Sequence, residues 1–148
     1  MIVTQVSDEY LLPVFTQVKP LLQKALDRGF GELSMDDILA RLIRGQQQLW
    51  VGVDEKTGKM PLAFTTEISH YATMKHLCLL LTGAEPHTID TWMDSWSEPV
   101  EQFCRINGIS HILTFGRDGW EKFLGGKGYH KYYTVMAKEI KDEEPASD

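Results

Sequence analysis

The chain has 148 residues, 43% hydrophobic and 24% charged, which is ordinary globular composition with enough length for one buried core. No apolar run approaches the roughly 18 residues of a membrane span, so a membrane protein is not expected. The formal net charge of −6 repels phosphate backbones and argues against nucleic acid as a partner.

In chain order, Ile2, Thr4 and Val6 alternate with Val3 and Gln5, which predicts a first strand over residues 2–6. Ser7, Asp8 and Glu9 supply a cap and early acids for a helix carrying Tyr10, Leu11, Val14, Phe15, Val18, Leu21, Leu22, Ala25 and Leu26 at helical spacing. Pro13 falls in its first turn, while Pro20 falls inside and predicts a kink or division. Ser34 opens a second helix with Asp36 and Asp37 in the first turn and Ile38, Leu39, Leu42 and Ile43 as its stripe. Arg41 and Arg44 suit its C-terminal end, and Gly45 stops it.

Residues 48–54 and 60–69 read as a β-hairpin around a turn that contains Gly58. Residues 75–82 are continuously apolar, as in the centre of a sheet. After the loop 83–87, Thr88 is the expected cap of a long helix over 89–106. Ile89, Trp92, Met93, Trp96, Val100, Phe103 and Cys104 lie on its inner face, and Pro99 predicts a kink or break near Glu98. Trp92 and Trp96 read as core. A strand over 109–115, a short helix over 120–124, the flexible run 125–128 and a last strand over 129–140 complete the order.

The expected organisation is one domain over 1–141 with an acidic tail over 142–148. No basic region precedes an apolar stretch at the N-terminus, so no secretory leader is expected and a cytoplasmic protein is. Cys78 and Cys104 have apolar neighbours and no second ligand at zinc spacing. They read as buried thiols, with no disulfide or metal site expected. Lys122, Lys127, His130, Lys131 and Lys138 read as a solvated basic face.

The order β-α-α-β-β-β-α-β-α-β, with a hairpin leading into a buried strand and then a crossover helix, resembles the GNAT (Gcn5-related N-acetyltransferase) fold over nearly the whole chain. The local likeness is residues 120–129, Trp-Glu-Lys-Phe-Leu-Gly-Gly-Lys-Gly-Tyr, similar to the family's short helix, Gly-aromatic pair (Gly128-Tyr129) and last strand. The run Gly116-Arg117-Asp118-Gly119-Trp120 resembles short phage-encoded GNAT-like proteins.

The resemblance implies an α/β fold with a mixed central sheet flanked by helices, acetyl-CoA as cofactor, and an amine or a protein as substrate. In active members a pyrophosphate loop, Arg/Gln-x-x-Gly-x-Gly/Ala, lies between the central strand and the long helix. There, glycines admit backbone N–H groups to the phosphates and a helix N-terminus adds positive potential. Here residues 82–88 have one glycine, no arginine, a proline and a glutamate, so the motif is absent. The positions that match this region are Leu81, Thr82, Gly83, His87 and Thr88, with Lys122 as a further anion contact; these are the expected cofactor-binding residues.

The resemblance also implies a general base, a carboxylate or histidine on the central strands, for which Glu67, His70 and His76 are placed. The family's tyrosine acid, four residues before the Gly-aromatic pair, is replaced by Leu124, preceded by Phe123. Tyr129, Tyr132 and Tyr133 lie nearby, off that position, so the candidate catalytic set is Glu67, His70 and Tyr129. Two functions stand open: an N-acyltransferase with an altered cofactor loop, or a GNAT-fold protein without catalysis that binds another protein as a phage structural or accessory factor. The two are distinguished by whether the strands that admit the cofactor's pantetheine arm are splayed or closed. An exposed last strand would also allow edge pairing into a homo-oligomer.

Overall fold

Short alternating segments pair into a sheet because each lacks partners for its own N–H and C=O groups. In the computed structural model, which describes residues 1–29, 31–115 and 118–142, five strands lie side by side in sequence order. They are β1 (Ile2–Gln5), β2 (Gln48–Val53), β3 (Leu62–His70), β4 (Lys75–Ala84) and β5 (His111–Thr114). The first four pair antiparallel, and β5 joins β4 parallel. A parallel neighbour requires a crossover, which residues 85–110 supply.

The chain divides into two units, Met1–Phe115 and Gly116–Asp148. In the first, α1 (Leu11–Leu26) and α2 (Met35–Ile43) cover one face of the sheet. Phe15, Val18, Leu21 and Leu22 of α1 and Ile38 and Leu42 of α2 pack on Leu49, Val51 and Ala63. The intervening Trp50 and Phe64 face the other way, as strand alternation requires. Their rings stack with centroids 5.7 Å apart, and Phe103 and Trp96 meet them edge-on at 5.4 and 6.4 Å. The sheet is thus packed mainly by aliphatic side chains, with Phe15 among them, on one side and by stacked aromatic rings on the other.

Ser34 caps α2 reciprocally: its hydroxyl accepts from the Asp37 N–H at 3.2 Å and its own N–H donates to Asp37 Oδ2 at 2.9 Å. These hydrogen bonds to the charged form hold the Asp37 carboxyl below its ordinary value.

Three expectations need correction. α1 runs unbroken through Pro20, so the chain is not divided there. The expected long crossover helix is two pieces, α3 (Ile89–Trp92) and α4 (Ser97–Asn107), and the break precedes Pro99. Pro99 falls in the first turn of α4, where its missing N–H has no intrahelical partner to lose. Trp92, Met93 and Trp96 are buried all the same, which bears out the core reading of the two tryptophans. Gly108, in the left-handed conformation at φ 67°, ends α4.

The third correction lies in the second unit. There α5 (Glu121–Leu124) is a single turn between 3₁₀ turns at Asp118–Trp120 and Gly125–Lys127. The expected strand over 129–140 does not form: residues 129–142 hold no strand or helix, and Tyr132, Tyr133, Val135, Met136 and Ile140 are exposed. Strand propensity alone does not make a strand without a ladder partner. Gly116, Arg117 and the tail 143–148 lie outside the described residues.

Candidate functional site

β4 is the strand on which the expected cofactor residues fall. It pairs with β3 along its whole length, but with β5 only where His76 through Leu79 face His111 through Thr114. From Leu80 onward, among the described residues, β4 has no strand on that side. The register to β3 also shifts there: Thr66 faces Leu79 and Phe64 faces Thr82, so β4 carries one extra residue. Such a bulge increases local twist and re-aims the strand. The buried Thr65 hydroxyl accepts the Leu81 N–H at 3.3 Å, so one backbone donor of the bulge is held by a side chain.

The side chains of this stretch go to different surroundings. Leu80 is 36% exposed, while Leu81 packs against the α1–α2 core. Thr82 is half-buried opposite Phe64. Gly83 is buried, and a Cβ placed on it would collide with the Leu21 carbonyl of α1. Its missing side chain is therefore accounted for by the close approach of helix and strand.

The loop that follows is tied to itself. The Glu85 N–H donates to the Pro61 carbonyl at 2.8 Å. The Thr88 hydroxyl donates to the Glu85 carbonyl at 2.7 Å and accepts the Trp92 indole N–H at 3.2 Å. Thr88 therefore does not cap α3 with its side chain, contrary to expectation. His87 adopts φ 62°, a conformation uncommon outside glycine. α3 has a single turn of helix, so it carries little of the macrodipole that a long crossover helix would aim at an anion.

Glu67 and His70 are brought together. Both line an open depression of about 430 Å³ at the end of β3, with Arg41 and Gly45 from the end of α2 and Gln46, Gln48 and Ile68. Arg41 Nη1 stands 3.7 Å from Glu67 Oε1, both side chains about a third exposed. An ion pair this open to water contributes at most about 1 kcal/mol, so it positions the carboxylate more than it stabilises the fold. Behind it a buried polar chain runs from the Trp50 indole N–H to Thr66 Oγ1 at 3.0 Å and on to Gln48 Oε1 at 2.8 Å.

His76 stands apart from this depression, at the start of β4. Its ring lies 5.0 Å from Tyr71 and 5.3 Å from His111, and its Nε2 is 3.0 Å from Met74 Sδ. Arg41 and His111 were not singled out from sequence as site residues. Arg41 reads there as a helix-end charge, and His111 becomes a neighbour of His76 only once the parallel register is known. Both cysteines are buried and free, as expected, and burial pushes the Cys104 thiol up to about 11.

Lys122 and Tyr129 belong to the second unit. Lys122 Nζ lies 4.9 Å over the Phe123 ring, and the Tyr129 N–H donates to the Leu124 carbonyl at 3.2 Å. No helix among the described residues is long and apolar enough to cross a membrane.

No family model matches the chain, and no curated protein matches it by sequence. Solved structures do. A probable acetyltransferase is 16% identical, with 97% of this chain and 100% of that one covered and a TM-score of 0.71. Glucosamine-6-phosphate N-acetyltransferase from Arabidopsis thaliana is 13% identical over 94% and 97%, with a TM-score of 0.67. A predicted acetyltransferase from Clostridium acetobutylicum, solved with acetyl-CoA, is 10% identical over 93% and 94%, with a TM-score of 0.63. With its mixed five-stranded sheet flanked by helices, the chain has the fold of the GNAT acetyltransferases.

Proposed function

We propose that the chain is an N-acyltransferase that moves an acetyl group from acetyl-CoA to an amine. The observation that carries this reading is the opening of β4: the strand runs on to Ala84 after its last pairing with β5 at Leu79, and Leu80 is exposed there. An extended strand with a free edge offers alternating N–H and C=O groups to an amide-bearing arm such as pantetheine. The fit is good for that arm and poor for the diphosphate. Gly83 is committed to α1, the Thr88 hydroxyl to its own loop, and Glu85 brings the wrong charge. The donor is therefore held by its arm, along the edge at residues 80–82 apart from the Leu81 N–H, which Thr65 holds, more than by its phosphates.

When bound, acetyl-CoA supplies an activated acyl carbonyl. The chain's own residues do the rest. The depression beside Glu67 receives the amine, whose ammonium form the carboxylate attracts. Glu67, oriented by Arg41, takes the proton that leaves nitrogen, and His70 lines the same depression. No acid stands at Phe123 or Leu124, so departure of the thiolate relies on positioning.

Titration calorimetry with acetyl-CoA, pantetheine and CoA tests this. Expected are binding of acetyl-CoA and measurable binding of pantetheine alone. With an amine acceptor, Glu67→Gln should lower turnover by about 10²- to 10⁴-fold while leaving acetyl-CoA affinity unchanged. No heat and no thermal shift at saturating acetyl-CoA would sink the proposal. The self-tied loop favours one second reading: a GNAT-fold protein without catalysis that binds a protein partner, as a phage structural or accessory factor would. A null titration selects that reading.

A further inference from the structure

The start of β4, remote from the free edge, carries chemistry that acyl transfer does not use. The turn between β3 and β4 is closed by the Tyr71 N–H on the Met74 carbonyl at 2.9 Å, which holds Met74 beside the strand. Met74 Sδ lies 3.0 Å from His76 Nε2, and His76 faces His111 across the parallel register. Ser110 ties the other nitrogen of His111: its hydroxyl lies 3.2 Å from the Lys75 carbonyl, which also accepts the Ser110 N–H at 3.0 Å, and 2.8 Å from His111 Nδ1. When the hydroxyl donates to the carbonyl, Nδ1 carries the ring proton and Nε2 presents a bare lone pair. That arrangement is typical of metal-binding imidazoles, whose second nitrogen is tied to an outer partner.

We propose that Met74, His76 and His111 form a binding site for a soft monovalent cation of the copper(I) class. The ring centroids of His76 and His111 are 5.3 Å apart. Two imidazoles sharing one ion at about 2 Å from each nitrogen have centroids on the order of 5 to 5.5 Å apart. His76 Nδ1 is buried without a hydrogen-bond partner and Nε2 meets only the Met74 sulfur, so no N–H or O–H of the protein fixes this ring and Nε2 is the nitrogen left to an ion. Met74 is 41% exposed and His111 is exposed, so the site is open to entry.

The donor set selects the ion. Among the described residues no three His, Cys, Asp or Glu side chains converge, so a divalent ion of zinc type lacks its ligands here. Two imidazoles and a thioether instead suit a soft ion of low coordination number. The Lys75 ammonium is turned to the Asn107 carbonyl at 3.1 Å.

The test is anaerobic titration with copper(I) in competition with bicinchoninate. It uses a Cys78→Ser/Cys104→Ser background, which removes the two thiols as competing ligands. One equivalent should bind, more tightly than zinc(II), and Met74→Leu and His111→Gln should each weaken binding by at least about tenfold. Both substituted side chains are exposed, so folding should be spared. In the same cysteine-free background, silver(I) should shift the Met74 methyl resonance at one equivalent, a readout independent of the copper competition. Unchanged copper affinity in both variants, tighter zinc(II) than copper(I), or an unmoved Met74 methyl would each overturn the site.

Discussion

The two halves of β4 share one apolar sequence and have different fates. Residues 76–79 lie between β3 and β5, with Leu77, Cys78 and Leu79 buried. Residues 80–84 keep β3 alone, and Leu80 emerges. The difference does not come from hydrophobicity, which is uniform from Leu77 to Leu81. It comes from the neighbour: β5 ends at Thr114, and a one-residue bulge turns β4 just where that neighbour stops. A strand can thus be core for half its length and an open edge for the rest.

The largest effect should come from removing a side chain of the enclosed half. Leu77 is fully buried, so Leu77→Ala should cost about 2 to 5 kcal/mol. Leu80→Ala should cost about 1 kcal/mol, since much of that side chain is already in water. Urea melts of the two variants measure the difference, and acetyl-CoA titration should show the reverse order, with Leu80→Ala the more damaging to binding. Equal destabilisation by the two would break the comparison.

Gly83 sharpens it from the other side. If the open half is held in place by α1 rather than by β5, Gly83→Ala must push against the Leu21 carbonyl and cost about 1 to 3 kcal/mol. Gly126 has open space around it and no left-handed backbone requirement. Gly126→Ala is therefore the control, expected within about 0.5 kcal/mol of the parent. Equal melting temperatures for both variants would mean that helix packing does not fix this half of the strand.

These contrasts also mark what the sequence carries. The five strands, the capped second helix and the buried faces of both α1 and the crossover were legible, because alternation, Ser34 with Asp37, and the 3.6-residue stripe are local signals. The break in the crossover was expected near Glu98 and falls at 93–96, a few residues earlier, because Pro99 is tolerated in the first turn of α4. The missing strand over 129–140 shows the limit of propensity: Tyr132, Thr134 and Val135 favour extension, but a strand exists only with a partner. At the site, the sequence placed Glu67 and His70 near one another. It did not reveal the Arg41 pairing or the His76–His111 register, which join residues far apart in the chain. Gly83 was placed among the expected cofactor-binding residues, and only the approach of α1 shows what its missing Cβ is for.

The smallest expected effect lies away from β4 and should leave its two halves unaltered. The Asp37 carboxylate accepts from Ser34 in the cap of α2, which lowers its proton affinity in the folded chain below that of an ordinary aspartate, 3.8. A depressed folded value means that the unfolded chain binds the proton more readily. The stabilisation is therefore fully present above 3.8 and fades as the pH falls through the folded value. Melting temperatures of the parent and Asp37→Asn should differ slightly at neutral pH and converge in acid. A gap that stays constant into acid would assign the cap's contribution to geometry rather than to the charge on Asp37. Either result bears on α2 alone, so the Leu77–Leu80 contrast, measured in the same Asp37→Asn background, should persist unchanged.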